Sequence, residues 1–178
     1  MPFIKTFTGQ HIDYRNVRAE QIDIEDIATA LSNICRFCGH VPEFYSVAQH
    51  SVLCSLIVPD EFAFEALMHD ATEAYVQDIP APLKRLLPDY RQIEDLVDAV
   101  IRQKFELPET MSTPVKYADL IMLATERRDL DLDDGTVWPV LEGIPPSDMV
   151  ISSPLKPGQA YQLFMNRFNE LMELREAS

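Results

Sequence analysis

Basic residues are scarce in this sequence. Lysine and arginine total 15 against 29 aspartate and glutamate residues, so the formal net charge is −14. Such a negative field repels polyanions at long range, and we expect no nucleic-acid polymer as a partner. It does not exclude a small phosphate ester, because a bound cation and one or two Arg or Lys side chains can dominate locally.

Long apolar runs are also missing, since the hydrophobic stretches are short and interrupted by charge. No segment therefore predicts a membrane span. The first ten residues contain Lys5 but no continuous apolar stretch, so no secretory signal is predicted. We expect no membrane partner and a cytoplasmic location.

Cysteine is rare as well. The chain has three cysteines, Cys35, Cys38 and Cys54, which cannot all pair, as is usual in a reducing compartment. Cys35 and Cys38 form a C-x-x-C pair, a spacing found in redox sites and in halves of zinc sites. No second pair completes a zinc site, and no βαβ pattern surrounds this one. We therefore interpret the two as small buried side chains near a helix end.

Apolar residues recur at helical spacing along most of the chain and predict an all-α fold. Asp23 is a predicted N-cap of a helix that ends near Cys38-Gly39. Thr113 is another, with Pro114 at the first helical position. Helices are predicted over about 24–38, 44–58, 61–76, 91–105, 113–130 and 159–174, with a short helical turn at 83–87. The expected architecture is a compact bundle of five to seven helices.

The length of 178 residues fits one domain. Its predicted core spans about residues 24–130. A polar lead-in, residues 1–22, precedes the core, and Phe7-Thr8-Gly9 suggests a turn within a small hairpin. A proline-rich loop, residues 135–158, separates the core from the last helix, and loops of that length are more often functional than neutral.

Four polar residues lie where these helices should turn inward. His50 interrupts an apolar stripe, Asp119 does the same on a later helix, and His69-Asp70 lies close to the buried face of a third. A lone inward histidine is usually a hydrogen-bonded core residue, and that alternative stays open for His50. Two inward aspartates are harder to explain without a ligand, because unpaired buried aspartate is rare.

Two imidazoles and two carboxylates suit one divalent ion, such as Mn²⁺, Co²⁺, Fe²⁺, Zn²⁺ or Mg²⁺. Four protein ligands on a six-coordinate ion leave two positions, one for water and one for a substrate oxygen. The pattern alone does not separate such a catalytic ion from a structural one.

The ordered set His50, His69-Asp70 and Asp119 resembles the signature of the HD-domain metal-dependent phosphohydrolase superfamily. Its neighbours resemble the bacterial 5′-deoxynucleotidase branch of that superfamily. These neighbours are Arg36, Gln49-His50-Ser51, His69-Asp70-x-x-Glu73 and Asp78-x-Pro-x-Pro-Leu-Lys84. The resemblance covers about residues 24–130 and implies hydrolysis of deoxyribonucleoside monophosphates to deoxynucleoside and phosphate.

The resemblance also implies roles for individual residues. Glu73 assists proton transfer around the attacking water, and Arg36 orients the phosphate with its planar guanidinium. Asp78 and Phe37 contact the substrate, and Lys84 is a further phosphate candidate. A surface salt bridge for Glu73 and a solvated Lys84 are the corresponding structural alternatives.

Two positions depart from the branch pattern. Phe37 stands where the pattern has tryptophan, and Ala81 stands where it has threonine. Phenylalanine keeps a flat apolar surface but loses the indole donor, and alanine removes a hydroxyl. Both lie where sugar or base would be contacted, so the base and sugar preference stays open.

The predicted function is therefore divalent-metal-dependent removal of the 5′-phosphate from (deoxy)nucleoside monophosphates. One alternative is hydrolysis of nucleoside di- or triphosphates or of cyclic signalling nucleotides. Another is a catalytically silent, metal-containing binding or regulatory module. Related nucleotidases are often dimers, so the resemblance raises a homodimer as the candidate assembly.

Overall fold

The computed structural model describes residues 2–177, and this part of the chain is mainly helical. Eight α-helices follow one two-stranded antiparallel hairpin, which confirms the predicted all-α fold. Five of these helices are ten residues or longer, and α3, α4 and α5 have only four to six. The bounds are β1 Ile4–Lys5, β2 His11–Ile12, α1 Ile24–Asn33, α2 Val47–Ile57, α3 Ala63–Met68, α4 Glu73–Val76, α5 Ala81–Lys84, α6 Pro88–Phe105, α7 Thr113–Asp129 and α8 Pro157–Glu176.

Helix α2 lies at the centre, in contact with α1, α3, α7 and α8. Ser46 is its N-cap, and the Ser46 hydroxyl accepts a hydrogen bond of 3.1 Å from the Gln49 amide. Nearly all sides of α2 are buried, as expected of a helix surrounded by others. A polar side chain on this helix is therefore kept from water unless a neighbouring helix leaves an opening.

Helix α8 packs across α1, α2 and α3. It places Phe164 in the core without solvent exposure and brings Phe168 to 5.7 Å from Phe64, measured between ring centroids. The C-terminal helix thus closes the apolar core behind α2.

The N-terminal hairpin is fixed to α1. Asp23 caps α1 as predicted, since its carboxylate accepts a hydrogen bond from the Glu25 amide. Asp26 accepts two more, from the Thr8 amide at 2.7 Å and the Thr8 hydroxyl at 2.8 Å. Gly9 takes a φ of +92° in the turn, a conformation that glycine adopts without steric cost. The small hairpin predicted around Thr8 is confirmed.

The predicted helix over 61–76 is interrupted, and this part of the prediction is wrong. α3 ends at Met68 and α4 begins at Glu73. Between them the amide of Ala71 donates to Met68 and the amide of Glu73 donates to Asp70, the three-residue spacing of a tighter turn. The turn changes the directions of His69 and Asp70 relative to a straight helix.

The first predicted helix also ends early, at Asn33, and Ser112 rather than Thr113 is the N-cap of α7. A separate turn, Arg36–Gly39, follows α1, with Phe37 and Cys38 in the left-handed region at φ +56° and +54°. Cys38 is exposed and Cys35 is half-buried, so the interpretation of both as buried side chains is wrong. The early helix end is the reason, because it leaves the C-x-x-C segment on a surface turn.

The proline-rich segment is a loop, as predicted, with one short 3₁₀ turn at Pro139–Leu141. Side chains of α7 and α2 hold its backbone. Arg128 donates to the carbonyls of Ser147 and Met149, and Asp129 accepts from the Ile151 amide. Gln49 accepts a hydrogen bond of 2.8 Å from the Leu155 amide. Within residues 2–177, no helix has both the length and the apolar character needed to cross a membrane.

We expect Phe164→Ala to lower the free energy of unfolding by about 3–5 kcal/mol, because it removes a fully buried aromatic ring and leaves a cavity. Chemical denaturation monitored by circular dichroism measures this change. Val137→Ala is the control, since Val137 is 78% exposed and should change stability by less than about 0.5 kcal/mol. Equal midpoints for Phe164→Ala and the wild type would contradict the packing of α8 against the apolar core.

Candidate metal centre

The four predicted ligand residues come together from three places in the fold. α2 supplies His50, α7 supplies Asp119, and the turn after α3 supplies His69 and Asp70. The Nε2 atoms of the two histidines are 3.3 Å apart. Each Nε2 atom lies 3.2–3.9 Å from a carboxylate oxygen of both Asp70 and Asp119. Residues up to 69 positions apart along the chain thus form one compact cluster.

Hydrogen bonds on the far side of each ring determine which nitrogen faces the cluster. The Nδ1 atom of His69 lies 2.7 Å from the carbonyl oxygen of Ala66, which can only accept, so Nδ1 carries the proton. The Nδ1 atom of His50 lies 2.6 Å from Glu126 Oε1. Glu126 is ionised: burial opposes this, but Arg36 and His50 lower the pKa of its carboxyl. In the neutral rings both Nε2 lone pairs therefore face the cluster.

These nitrogen and oxygen atoms are of the kinds that bind metal ions. Two lone pairs and two carboxylates that face one another are costly to shield from water unless a positive charge lies near them. Ligand bonds of about 2.0–2.2 Å place neighbouring ligand atoms roughly 3 Å apart around an ion, close to the shorter distances here. Carboxylates near His69 raise its pKa against the effect of burial, which shows the same preference for positive charge at this point.

A fifth residue, Cys54, belongs to the same cluster. Its Sγ atom lies 3.5 Å from His50 Nε2. Ligand atoms of His50, Cys54, His69 and Asp119 all lie within 4.8 Å of one another, so these four residues could hold a metal ion. Burial raises the pKa of the Cys54 thiol to about 11, so near neutral pH it carries its proton. Metals bind the thiolate rather than the thiol.

The cluster is open on one side. The imidazole side chains of His50 and His69 are at most 1% exposed, whereas those of Asp70 and Asp119 are 16% and 40% exposed. An ion held here would be covered by the histidines from inside. The aspartates form the face that an incoming molecule can reach.

Arg36 lies at the edge of this cluster, with Phe37 beside it. Its Nη2 atom is 3.0 Å from Glu126 Oε2, and its Nη1 atom is 3.7 Å from Asp70 Oδ2. The Phe37 ring centroid lies 5.3 Å from the guanidinium carbon, a cation–π distance. The left-handed turn after α1 thus places an aromatic surface next to a buried cation.

Glu73 and Asp78 share the electrostatic environment of the cluster. Burial, reinforced by the charges of Asp70 and Asp78, raises the pKa of the Glu73 carboxyl well above its usual value. Burial also raises the pKa of Asp78, although Arg36 opposes this. Glu73 Oε2 has no hydrogen-bond partner among residues 2–177. Glu73 therefore has a partly buried carboxyl that holds its proton more tightly than a free glutamate, and it does not form the surface salt bridge of the structural alternative.

Lys84 does not join the cluster. Its ammonium group forms a 2.6 Å ion pair with Glu94 and lies 5.8 Å from the centroid of the Tyr90 ring. Its charge is therefore already balanced, and its role as a phosphate ligand stays a prediction. The other two histidines, His11 and His40, are exposed.

Glu126 was not predicted from the sequence, although a signal for it exists. It is fully buried and contacts both Arg36 and His50. It follows Asp119 by seven residues, two helical turns, so the two residues share one face of α7. An inward aspartate followed at that spacing by a glutamate indicates a second carboxylate at the same site. Cys54 gave no such signal, because cysteine is common in apolar stripes.

The molecule is thus an all-α protein with a largely buried cluster of side chains that could hold a metal ion. No protein-family model matches its sequence. It is 68% identical to the uncharacterized protein YfdR of Escherichia coli strain K12 over 178 residues, the whole of both chains. An uncharacterized protein of Rhodobacter capsulatus is 29% identical over 124 residues, which cover 64% of this chain and 63% of that protein. The chain belongs to the YfdR family.

We expect the wild-type protein to bind about one equivalent of Mn²⁺ or Co²⁺ and to gain thermal stability from it, because the ion binds the folded state only. Removal of metal by a chelator should lower the melting temperature, and added metal should restore it. His69→Ala should abolish the metal-dependent increase. His40→Ala is the matched control, since His40 is exposed and lies outside the cluster. A metal response of the same size in His69→Ala would contradict the assignment.

Proposed function

We propose that this protein is a divalent-metal-dependent phosphohydrolase that removes the 5′-phosphate from nucleoside monophosphates. The observation that carries the proposal is that three kinds of group lie close together. A cluster of metal-binding side chains lies next to a buried guanidinium, Arg36, and near the carboxyl of Glu73, whose Oε2 atom is buried without a hydrogen-bond partner. A purely structural metal site needs neither of these neighbours. The resemblance to HD-domain phosphohydrolases, and to their 5′-deoxynucleotidase branch, supports the same conclusion.

His50, His69, Asp70 and Asp119 are the proposed ligands. Asp70 is favoured over Cys54 as the fourth ligand because its carboxyl is ionised: burial opposes this, but His69, His50 and Arg36 keep its pKa below the usual range. Two nitrogen and two oxygen ligands suit Mn²⁺, Co²⁺, Fe²⁺ or Zn²⁺, and Mg²⁺ to a smaller extent. When bound, such an ion supplies positive charge that polarises a phosphate ester and makes water more acidic.

Arg36 is the proposed phosphate-orienting group. Its guanidinium can donate hydrogen bonds to two phosphate oxygens at once. In the structure, Nε and Nη2 of this guanidinium donate hydrogen bonds to Glu126. Nη1 is directed toward Asp70 at 3.7 Å, longer than a hydrogen bond, and it remains able to donate to a substrate.

Glu73 is the proposed proton carrier. In hydrolysis the water oxygen forms a bond to phosphorus, the ester bond to the 5′ oxygen breaks, and the leaving oxygen takes up a proton. The Glu73 carboxylate would accept the proton that water loses. Its raised pKa favours holding that proton and returning it to the nucleoside.

Electrostatics favour one phosphate group over two or three. Asp70 and Asp119 lie on the open side, Glu73 and Asp78 are close enough to interact with Asp70 electrostatically, and Arg36 is the one arginine that contacts the cluster in the described part of the chain. Lys84 is occupied by Glu94. A second or third phosphate would therefore meet carboxylates without a matching cation. For this reason we favour monophosphates over di- and triphosphates, and Phe37 is the proposed contact for the sugar or base.

The test is phosphate release from a panel of nucleotides in the presence of Mn²⁺ or Co²⁺. We expect the wild type to act on nucleoside 5′-monophosphates. Glu73→Ala should lower kcat by roughly 10²–10⁴-fold while it keeps its metal, because the proton carrier is lost and the ligands are not. Glu61→Ala, an exposed carboxylate, is the control with unchanged activity.

Two results would contradict the proposal in different ways. If the protein binds metal tightly but releases no phosphate from any nucleotide, it is a metal-containing binding or regulatory module. If only di- or triphosphates or cyclic nucleotides react, the protein is a hydrolase of another substrate class. Equal kcat values for Glu73→Ala and the wild type would remove Glu73 from the mechanism.

A further inference from the structure

Glu126 has two buried partners of different kinds. Its Oε1 atom lies 2.6 Å from His50 Nδ1, and its Oε2 atom accepts hydrogen bonds from Nη2 and Nε of Arg36 at 3.0 and 3.3 Å. The side chains of Glu126 and His50 have no solvent exposure, and that of Arg36 has 10%. Both oxygen atoms are thus in use, and water does not compete for them.

We infer that Glu126 is a positioning residue that links the metal ligand His50 to the phosphate-orienting Arg36. Toward His50, the carboxylate fixes the ring tautomer that presents Nε2 to the cluster. Toward Arg36, it holds one edge of the guanidinium and leaves Nη1, 3.7 Å from Asp70 Oδ2, able to donate a hydrogen bond to substrate. The part that concerns Arg36 rests on the proposed function, and the part that concerns His50 depends only on metal binding.

The two contacts require a carboxylate, and this requirement separates positioning from simple packing. A glutamine at position 126 has the same shape but one donating and one accepting end. If its NH₂ group faces His50, the ring must accept at Nδ1 and carry its proton on Nε2, where the metal should bind. If its carbonyl faces His50, the NH₂ group faces the guanidinium, and two donors meet. Either orientation breaks one of the two contacts.

Glu65 provides a matched comparison within the same molecule. It is also buried, at 6% exposure, and its carboxylate also accepts two hydrogen bonds, from the amide and the hydroxyl of Ser112. Neither partner is a proposed ligand or a phosphate contact. The effect of losing any buried carboxylate that accepts two hydrogen bonds can therefore be separated from the effect of losing Glu126.

The experiment compares Co²⁺ affinity among the wild type, Glu126→Gln, Glu126→Asp and Glu65→Gln, by competition with a chromogenic chelator. We expect Glu126→Gln to bind Co²⁺ about 10–100-fold more weakly, as is usual when the partner of a metal-binding histidine is lost. Glu126→Asp should recover part of the affinity, because a carboxylate still accepts from both sides. Glu65→Gln should bind like the wild type. At saturating Co²⁺, Glu126→Gln should also raise KM for a nucleoside monophosphate, because Arg36 has lost its support.

A folded Glu126→Gln variant with both wild-type Co²⁺ affinity and wild-type KM would overturn the inference, because either orientation of the glutamine must break one of the two contacts. If that variant does not fold, ¹⁵N NMR of the metal-free wild type above the imidazole pKa gives the answer. A proton on Nδ1 of His50 supports the inference, and a proton on Nε2 overturns it. If the wild type hydrolyses no nucleotide while Glu126→Gln still loses Co²⁺ affinity, the proposed function fails and the link between Glu126 and His50 stands.

Discussion

The site depends on one physical constraint, which is that a charged group is costly to bury without a partner of opposite charge. Asp70, Asp119 and Glu126 carry three negative charges, and their pKa values are all lowered against the effect of burial. Arg36 supplies one positive charge among them. Three carboxylates and one guanidinium leave two negative charges, which one divalent ion between the histidines would balance. The central packing of α2 keeps His50 from water, and the aspartates form the open side of the cluster.

Several features could be predicted from the sequence because each depends on local chemistry. The long helices follow from apolar spacing, and Asp23 caps α1 because a short carboxylate reaches the amide two residues later. The inward direction of His50 and Asp119 follows from their apolar neighbours on α2 and α7. These helices are long enough for periodicity to define a face, and the face determines which side chains meet.

Other features depend on contacts between distant segments, and the sequence pattern did not predict them. The turn from His69 to Glu73 replaces a helix that propensity alone would continue, because tertiary packing decides where that helix stops. The early end of α1 brings Cys38 to the surface and turns Phe37 toward Arg36. Glu126 was overlooked because a charged residue beside Arg127 and Arg128 usually faces solvent. Its burial is understandable only once Arg36, ninety residues earlier, is seen to contact it.

The proline-rich loop loses conformational entropy when the chain folds, before any ligand binds. Side chains of α7 hold its backbone at Ser147, Met149 and Ile151, and Gln49, next to His50 in α2, holds it at Leu155. A loop fixed in this way loses its freedom when the chain folds and not when a ligand arrives. It therefore forms a pre-ordered surface beside α2. A molecule that binds nearby does not lose binding free energy to the ordering of this segment.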